Sequence, residues 1–205
     1  MRLSSEEHGF TLIELMVAMA IIAVVTVPLG NVVIAYLRTS DGTAARMAES
    51  NDAQISAAYF ARDVASVGVR GSASPHVLQQ SVDSANSATW PYPCAATGTT
   101  PIVRFAWDDY PAGPGLATQL RVAYVLAGGG TELRRLACSG SATPVSNVAL
   151  AHDLDPSTAP TLSCSTPCAA SPAVPATVSL TLSIKDPRNR GSAYTITLTG
   201  QRRQT

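Results

Sequence analysis

The chain has 205 residues, with 14 Lys and Arg against 14 Asp and Glu, so its formal charge is zero at neutral pH. With 46% hydrophobic and 14% charged residues, it is by composition neither an acidic solvating chain nor a basic nucleic-acid binder. The first informative stretch is Gly9-Phe10-Thr11-Leu12-Ile13-Glu14-Leu15-Met16, after which apolar residues continue to Leu37. From Phe10 to Leu37 there are 28 residues and one charged side chain, Glu14. At ~1.5 Å rise per residue this helix reaches about 42 Å, enough to cross a hydrocarbon layer of ~30 Å. A carboxylate in such a segment costs roughly 2.5–3.5 kcal/mol at a helix centre and less near an end, so Glu14 calls for a positive partner.

Gly9-Phe10-Thr11-Leu12-Ile13-Glu14 resembles the processing signal of type IV prepilins and type II secretion pseudopilins. The resemblance implies a leader, residues 1–9, removed by a prepilin peptidase that cuts between Gly9 and Phe10. It further implies N-methylation of Phe10, and a role for Glu14 in neutralising the N-terminal amine of a neighbouring subunit during filament assembly. The electrostatics agree: opposite charges attract strongly at low dielectric, and each is costly there alone. An ordinary secretory signal fits poorly, because its small-residue cleavage site follows the apolar stretch, whereas Gly9 precedes it. In the leader, Arg2 and the start amine face Glu6 and Glu7, a weak positive-inside signal. Orientation therefore rests on the motif: a single pass through the inner or cytoplasmic membrane, with the head outside the cytoplasm.

Residues 10–37 form the expected transmembrane and assembly helix, residues 38–69 an amphipathic helix, and residues 70–205 a β-rich head. Within the span, Pro28 and Gly30 predict a kink or local loss of helix near Val24–Pro28, since proline removes a donor and clashes with the preceding turn. Residues 39–43 mark the membrane exit. In Ala44–Val69, helical spacing aligns Met47, Ile55, Ala58, Tyr59 and Ala65 on one side and Phe60, Val64 and Val67 on roughly the other. Arg46, Glu49, Asp52 and Asp63 fill the remaining arcs. Two apolar stripes need two neighbours: the head's own sheet, and either a covering loop or adjacent subunits. Gly68 and Gly71 punctuate the helix end.

Residues 72–101, rich in Ser, Ala, Thr, Asn and Pro, read as a long irregular excursion that packs down through Trp90, Tyr92 and Cys94. Ile102–Trp107 is a predicted strand, followed by an Asp-, Pro- and Gly-rich turn. Gln119–Ala127 and Thr131–Cys138 flank Gly128-Gly129-Gly130 as a hairpin, and Val145–Leu150 is a weaker strand. Val178, Leu180, Leu182 and Ile184 alternate with polar residues, as do Tyr194, Ile196 and Leu198, which predicts a second hairpin. The fold class is α+β: a long N-terminal helix packed on an antiparallel sheet head. With Arg62-Asp63 near the helix end, the Val122-Ala123-Tyr124 and Leu133-Arg134-Arg135 strand pair and a C-terminal hairpin, the head is similar to the larger minor pilins and pseudopilins. It resembles the PilW and pseudopilin J types. That resemblance implies a pilin-like fold and a tip or priming subunit.

The four cysteines, Cys94, Cys138, Cys164 and Cys168, all lie in the head, and an even number in an exported domain favours disulfides. Three connectivities are possible. The favoured one closes the Ser-Thr-Pro loop with Cys164–Cys168 and pins the irregular excursion to the sheet with Cys94–Cys138. No metal site or cofactor is expected. Cys164 and Cys168 with His152 make a poor zinc set, and His152-Asp153-Leu154-Asp155 lacks the twelve-residue calcium-loop pattern and reads as a solvated turn. His8 belongs to the leader, and neither His76 nor His152 sits in a catalytic motif, so no enzyme is expected. Beyond residue 37 there are 13 Lys or Arg and 11 Asp or Glu. Lys185, Arg188, Arg190, Arg202 and Arg203 concentrate near the end of the chain. The runner-up functions are a DNA-binding tip subunit that uses these cations, and a membrane-anchored sensor or adhesin head. The blander reading is an edge strand protected by charge. The expected partners are prepilin peptidase, other pilin or pseudopilin subunits and the membrane, with nucleic acid in second place.

Overall fold

The computed structural model describes residue 9 and residues 11–84, 90–110, 117–169, 173–186 and 193–203. The chain divides into two compact units, Met1–Arg46 and Met47–Thr205. Helix α1 covers Leu12–Ser66 with Pro28 inside it, so the two helical stretches read from the sequence are one element. The polar residues 39–43 are helical as well. The Thr39 hydroxyl donates to the Ala35 carbonyl and the Thr43 hydroxyl to the Thr39 carbonyl, both at 3.0 Å, which keeps these poor helix formers bonded within the turn. In the first unit the apolar side chains from Leu12 to Leu37 are exposed. By length and composition this part of the helix can cross a membrane.

The second unit is built on two antiparallel sheets, where the alternation of the sequence suggested one. The larger runs in chain order through β1 (Val82–Asp83), β2 (Thr100–Asp109), β3 (Thr118–Ala127), β4 (Glu132–Ser139) and β5 (Ser146–Ala151). The smaller runs through β6 (Thr161–Cys164), β7 (Thr177–Ile184) and β8 (Tyr194–Gln201). Both are meanders, so each strand pairs with its chain neighbour and short turns suffice. Between β3 and β4, Gly128, Gly129 and Gly130 take φ of 59°, 71° and 100°, a run of left-handed backbone open at low cost only to glycine. Strand β6 had no signal of its own: four residues are too few for alternation to stand out.

One core joins the end of α1 to both sheets. Phe60 meets Phe105 of β2 and Tyr124 of β3 edge-to-face, with ring centroids 5.7 and 5.2 Å apart. Val64 faces Gly200 of β8 so closely that a Cβ built on the glycine would lie 2.5 Å from the Val64 Cβ. There the backbones of helix and strand approach, and only glycine fits. The Arg203 amide donates to the Ala65 carbonyl at 3.1 Å and closes one of the orphan acceptors of the helix end. Of the two apolar stripes on residues 44–69, Phe60, Val64 and Val67 are core, while Met47, Ile55 and Ala58 are exposed.

The larger sheet is covered on its other face too. Cys94 and Ala96 pack on Ala123, Val125, Leu136 and Cys138, and Trp90 packs with Val69 and Ala106. The irregular excursion therefore folds down as a lid of the sheet. The Cys94–Cys138 disulfide pins it, and Cys164–Cys168 closes the loop after β6, the pairing favoured from the sequence.

Candidate assembly site

Helix α1 begins with a reciprocal cap. Thr11 donates its backbone amide and its hydroxyl to Glu14 Oε2, each at 2.9 Å, and the Glu14 amide donates to Thr11 Oγ1 at 3.3 Å. This is a capping box, in which a threonine before the helix and a glutamate three residues on satisfy each other's donors. The Thr-x-x-Glu spacing before an apolar run is a legible sequence signal for it, although charge cost and the motif, not capping, drew attention to Glu14. The carboxylate is thus partly satisfied within its own chain. Gly9 is exposed, with open space around it. Phe10, the expected methylation position, lies outside the described residues.

Further along the span, Pro28 removes the amide that would bond to the Val24 carbonyl, and the Thr26 hydroxyl donates to the Ile22 carbonyl at 2.6 Å. Gly30 has open space where a side chain would stand. The helix is nevertheless continuous through Val24–Pro28, without the local loss of helix that proline and glycine suggested there.

In the second unit, the group that ties α1 to the head is one the sequence reading left on a neutral arc. Asp63 is 1% exposed, on the core face of the helix between Phe60 and Val67. It accepts Arg135 Nε at 2.6 Å and Nη2 at 2.8 Å, together with the Tyr124 hydroxyl at 2.8 Å. Burial pushes the Tyr124 pKa well above its ordinary value, and the neighbouring Asp63 charge adds to the effect. Burial by itself would lower Arg135, but the hydrogen bonds and charge of Asp63 outweigh it and hold the guanidinium above its usual value. The Tyr59 ring lies near both Arg135 and Arg62, with centroid distances of 5.2 and 4.8 Å. Ser56 donates to the Leu150 carbonyl at 3.1 Å, a second buried polar tie to β5. A third tie is partly exposed: Asp52 Oδ2 accepts the His152 amide at 3.1 Å and lies 2.9 Å from His152 Nδ1. Asp155 accepts the Ser157 amide and the hydroxyls of Ser157 and Thr158, which hold its pKa below the ordinary carboxylate value. The polar groups of His152–Asp155 are thus hydrogen-bonded at exposed positions, as in a solvated turn. Among the described residues no group of three or more His, Cys, Asp or Glu side chains is placed to hold a metal ion.

Those C-terminal cations that lie among the described residues do not converge. Lys185 follows the Ile184–Tyr194 end of the β7–β8 pair, whereas Arg202 and Arg203 follow the Thr177–Gln201 end. Eight residues of strand separate the two ends by about 24 Å. The Arg202 guanidinium donates to the Pro175 and Val174 carbonyls, and Arg203 lines a shallow groove with Arg62, Ala65 and Ser66. Arg188 and Arg190 lie outside the described residues.

The prokaryotic N-terminal methylation motif matches residues 5–30, the segment that contains Gly9, the capping box and Pro28. No curated protein and no solved structure matches the chain.

Proposed function

We propose that this chain, whose residues 5–30 match the prokaryotic N-terminal methylation motif, serves as a minor structural subunit of the type IV pilin and pseudopilin family, of the PilW or pseudopilin J kind. It would prime or tip a type IV pilus or a type II secretion pseudopilus. Prepilin peptidase removes residues 1–9, and Phe10 becomes the methylated N-terminus. Residues 10–37 hold the subunit in the inner or cytoplasmic membrane with the head outside the cytoplasm. Glu14 then meets the N-terminal amine of a neighbouring subunit, and in low dielectric that pairing replaces two unfavourable isolated charges. Pro28 and Gly30 supply the point at which the helix loosens on entering a filament, because Pro28 has no amide to donate to the Val24 carbonyl. The role is structural, with pilin subunits as partners.

The observation that carries this reading is the match of the methylation motif to the start of a helix whose apolar side chains are exposed. Mass spectrometry of the mature N-terminus, on protein purified from its native membrane, tests it. The expected result is N-methylated Phe10 with residues 1–9 absent. An intact Met1, or cleavage beyond Leu37, overturns the reading and leaves the apolar segment as a plain anchor or signal.

A further inference from the structure

A sheet edge offers a row of backbone amides and carbonyls to whatever lies beside it, and three of the four edges among the described residues are guarded. Strand β1 has only two residues. At β5 the Ser56 hydroxyl donates to the Leu150 carbonyl, and Asp52 accepts the His152 amide. Strand β6 has four residues, preceded by Pro160 and followed by the Cys164–Cys168 loop. Strand β8 has no such device. Its eight residues pair with β7 without a register shift, and none of them is proline or charged. Its backbone directions follow from its end, where the Arg202 amide donates inward to the Ala176 carbonyl and the Arg203 amide outward to the Ala65 carbonyl. Alternation then turns the amides and carbonyls of Thr195, Thr197, Thr199 and Gln201 outward. All four residues are exposed, and among the described residues no backbone hydrogen bond from outside the sheet reaches these groups.

We propose that the open edge of β8 takes the β6 edge of a second copy of this chain, in parallel, so that the smaller sheet continues from one copy into the next. Direction selects this partner. Tyr194 at the start of β8 stands in the field of Glu49 and Asp52, and Arg203 past its end meets Ala65, so β8 and this part of α1 run the same way. An antiparallel β8–β8 pair about a two-fold axis would set the two α1 helices in opposite directions. Copies held in one membrane, as the assembly reading requires, share one α1 direction, and only a parallel strand keeps it. Strand β6 is parallel to β8, because both are antiparallel to β7. The register already sets Thr161 level with Thr197 through Thr181, and Ser163 level with Thr199 through Ser179. On β6 the Ser165 amide turns inward to the Thr177 carbonyl, so the outward groups are those of Leu162 and Cys164. They flank Ser163, as a parallel ladder opposite Thr199 needs. Translation also keeps the two faces of the sheet apart, hydroxyls beside hydroxyls and Leu162 on the side of Ile196 and Leu198. Leu162, Tyr194 and Ile196 are half-buried where Leu180 and Leu182 of the central strand are buried, so both edges hold apolar surface that a neighbour would cover. Each step is three strand spacings, about 14 Å, and strand twist makes the series helical rather than closed.

The test is disulfide trapping between two differently tagged copies of the full chain in their native membrane, one carrying Thr161→Cys and the other Thr197→Cys. Neighbouring strands are close enough for the bond, and peptide mass spectrometry assigns it. A cross-link between unlike copies, absent between like ones, is the expected result. Adding Thr199→Pro to the Thr197→Cys copy removes an outward amide that the fold itself does not use. It is expected to lower the cross-linked yield roughly tenfold with an unchanged melting curve. If that variant melts early, amide exchange of the unsubstituted chain in micelles reads the same edge, and the Thr197 and Thr199 amides are expected to gain protection as protein concentration rises. Four results overturn the proposal: no cross-link between unlike copies, cross-linking of two Thr197→Cys copies, a yield untouched by Thr199→Pro, or exchange at Thr197 and Thr199 independent of concentration. The mass of the mature N-terminus on the same material reads the processing of Phe10 separately, so failure of this contact and failure of the assembly role are distinguishable.

Discussion

The β1–β5 sheet is buried on both faces, by helix α1 on one and by residues 90–96 on the other, whereas the β6–β8 sheet is buried on one and presents hydroxyls on the other. Their attachments to α1 differ in kind as well. The larger sheet is tied through a buried carboxylate, Asp63, to Arg135 and Tyr124. The smaller is tied through a close backbone approach, Val64 on Gly200. A sheet with two buried faces can hold a charged pair away from water, where its geometry is unique and its loss expensive. A sheet with one wet face is held mainly by shape. The first arrangement suits a rigid link from helix to head, and the second leaves a surface free to meet something outside the molecule.

The largest break in this comparison comes from Asp63→Ala. It leaves the Arg135 guanidinium buried without its carboxylate and is expected to cost about 3–5 kcal/mol, read as a fall in denaturant midpoint of the full chain in micelles. A cost under about 1 kcal/mol, that of an exposed pair, would mean the network is solvated. Next are the disulfides. By loop-closure entropy, replacing Cys94 and Cys138 with serine, 44 residues apart, should cost about 4 kcal/mol, against about 2 kcal/mol for Cys164 and Cys168, only 4 apart. The Cys94 variant should also free the lid and raise amide exchange in β3 and β4, but not in β7 and β8. Equal protection loss in both sheets would show that they are one cooperative unit. Smallest is Gly200→Ala, whose added methyl meets Val64 and is expected to cost about 1–3 kcal/mol through overpacking. The companion Val64→Ala should restore part of that loss in the double variant, the coupling expected of two groups in contact.

Much of this architecture is legible in order along the chain. The apolar span, the Thr11–Glu14 spacing, the period-2 alternation of Val178–Ile184 and the glycine run at 128–130 are local patterns, and each element formed where its pattern lies. Strand β6 escaped because it is short. Asp63 escaped because a charged residue three positions from Phe60 and four from Val67 falls on the core face of the helix, yet it is read as surface unless its partner is known. That partner, Arg135, is 72 residues away. The C-terminal cations looked like a cluster because they are neighbours in sequence, but the β7–β8 hairpin sends Lys185 and Arg203 to opposite ends.

By itself, the amino-acid sequence determined the N-terminal methylation motif, the membrane-length helix and the longer strands of the head, because these depend on residue chemistry and periodicity within about a dozen positions. The tertiary structure decided which acid is buried, which cysteines meet, how the strands divide into two sheets, and which sheet face remains open. These depend on contacts between residues tens of positions apart, and no local pattern encodes which distant side chain will be near enough to satisfy a buried charge.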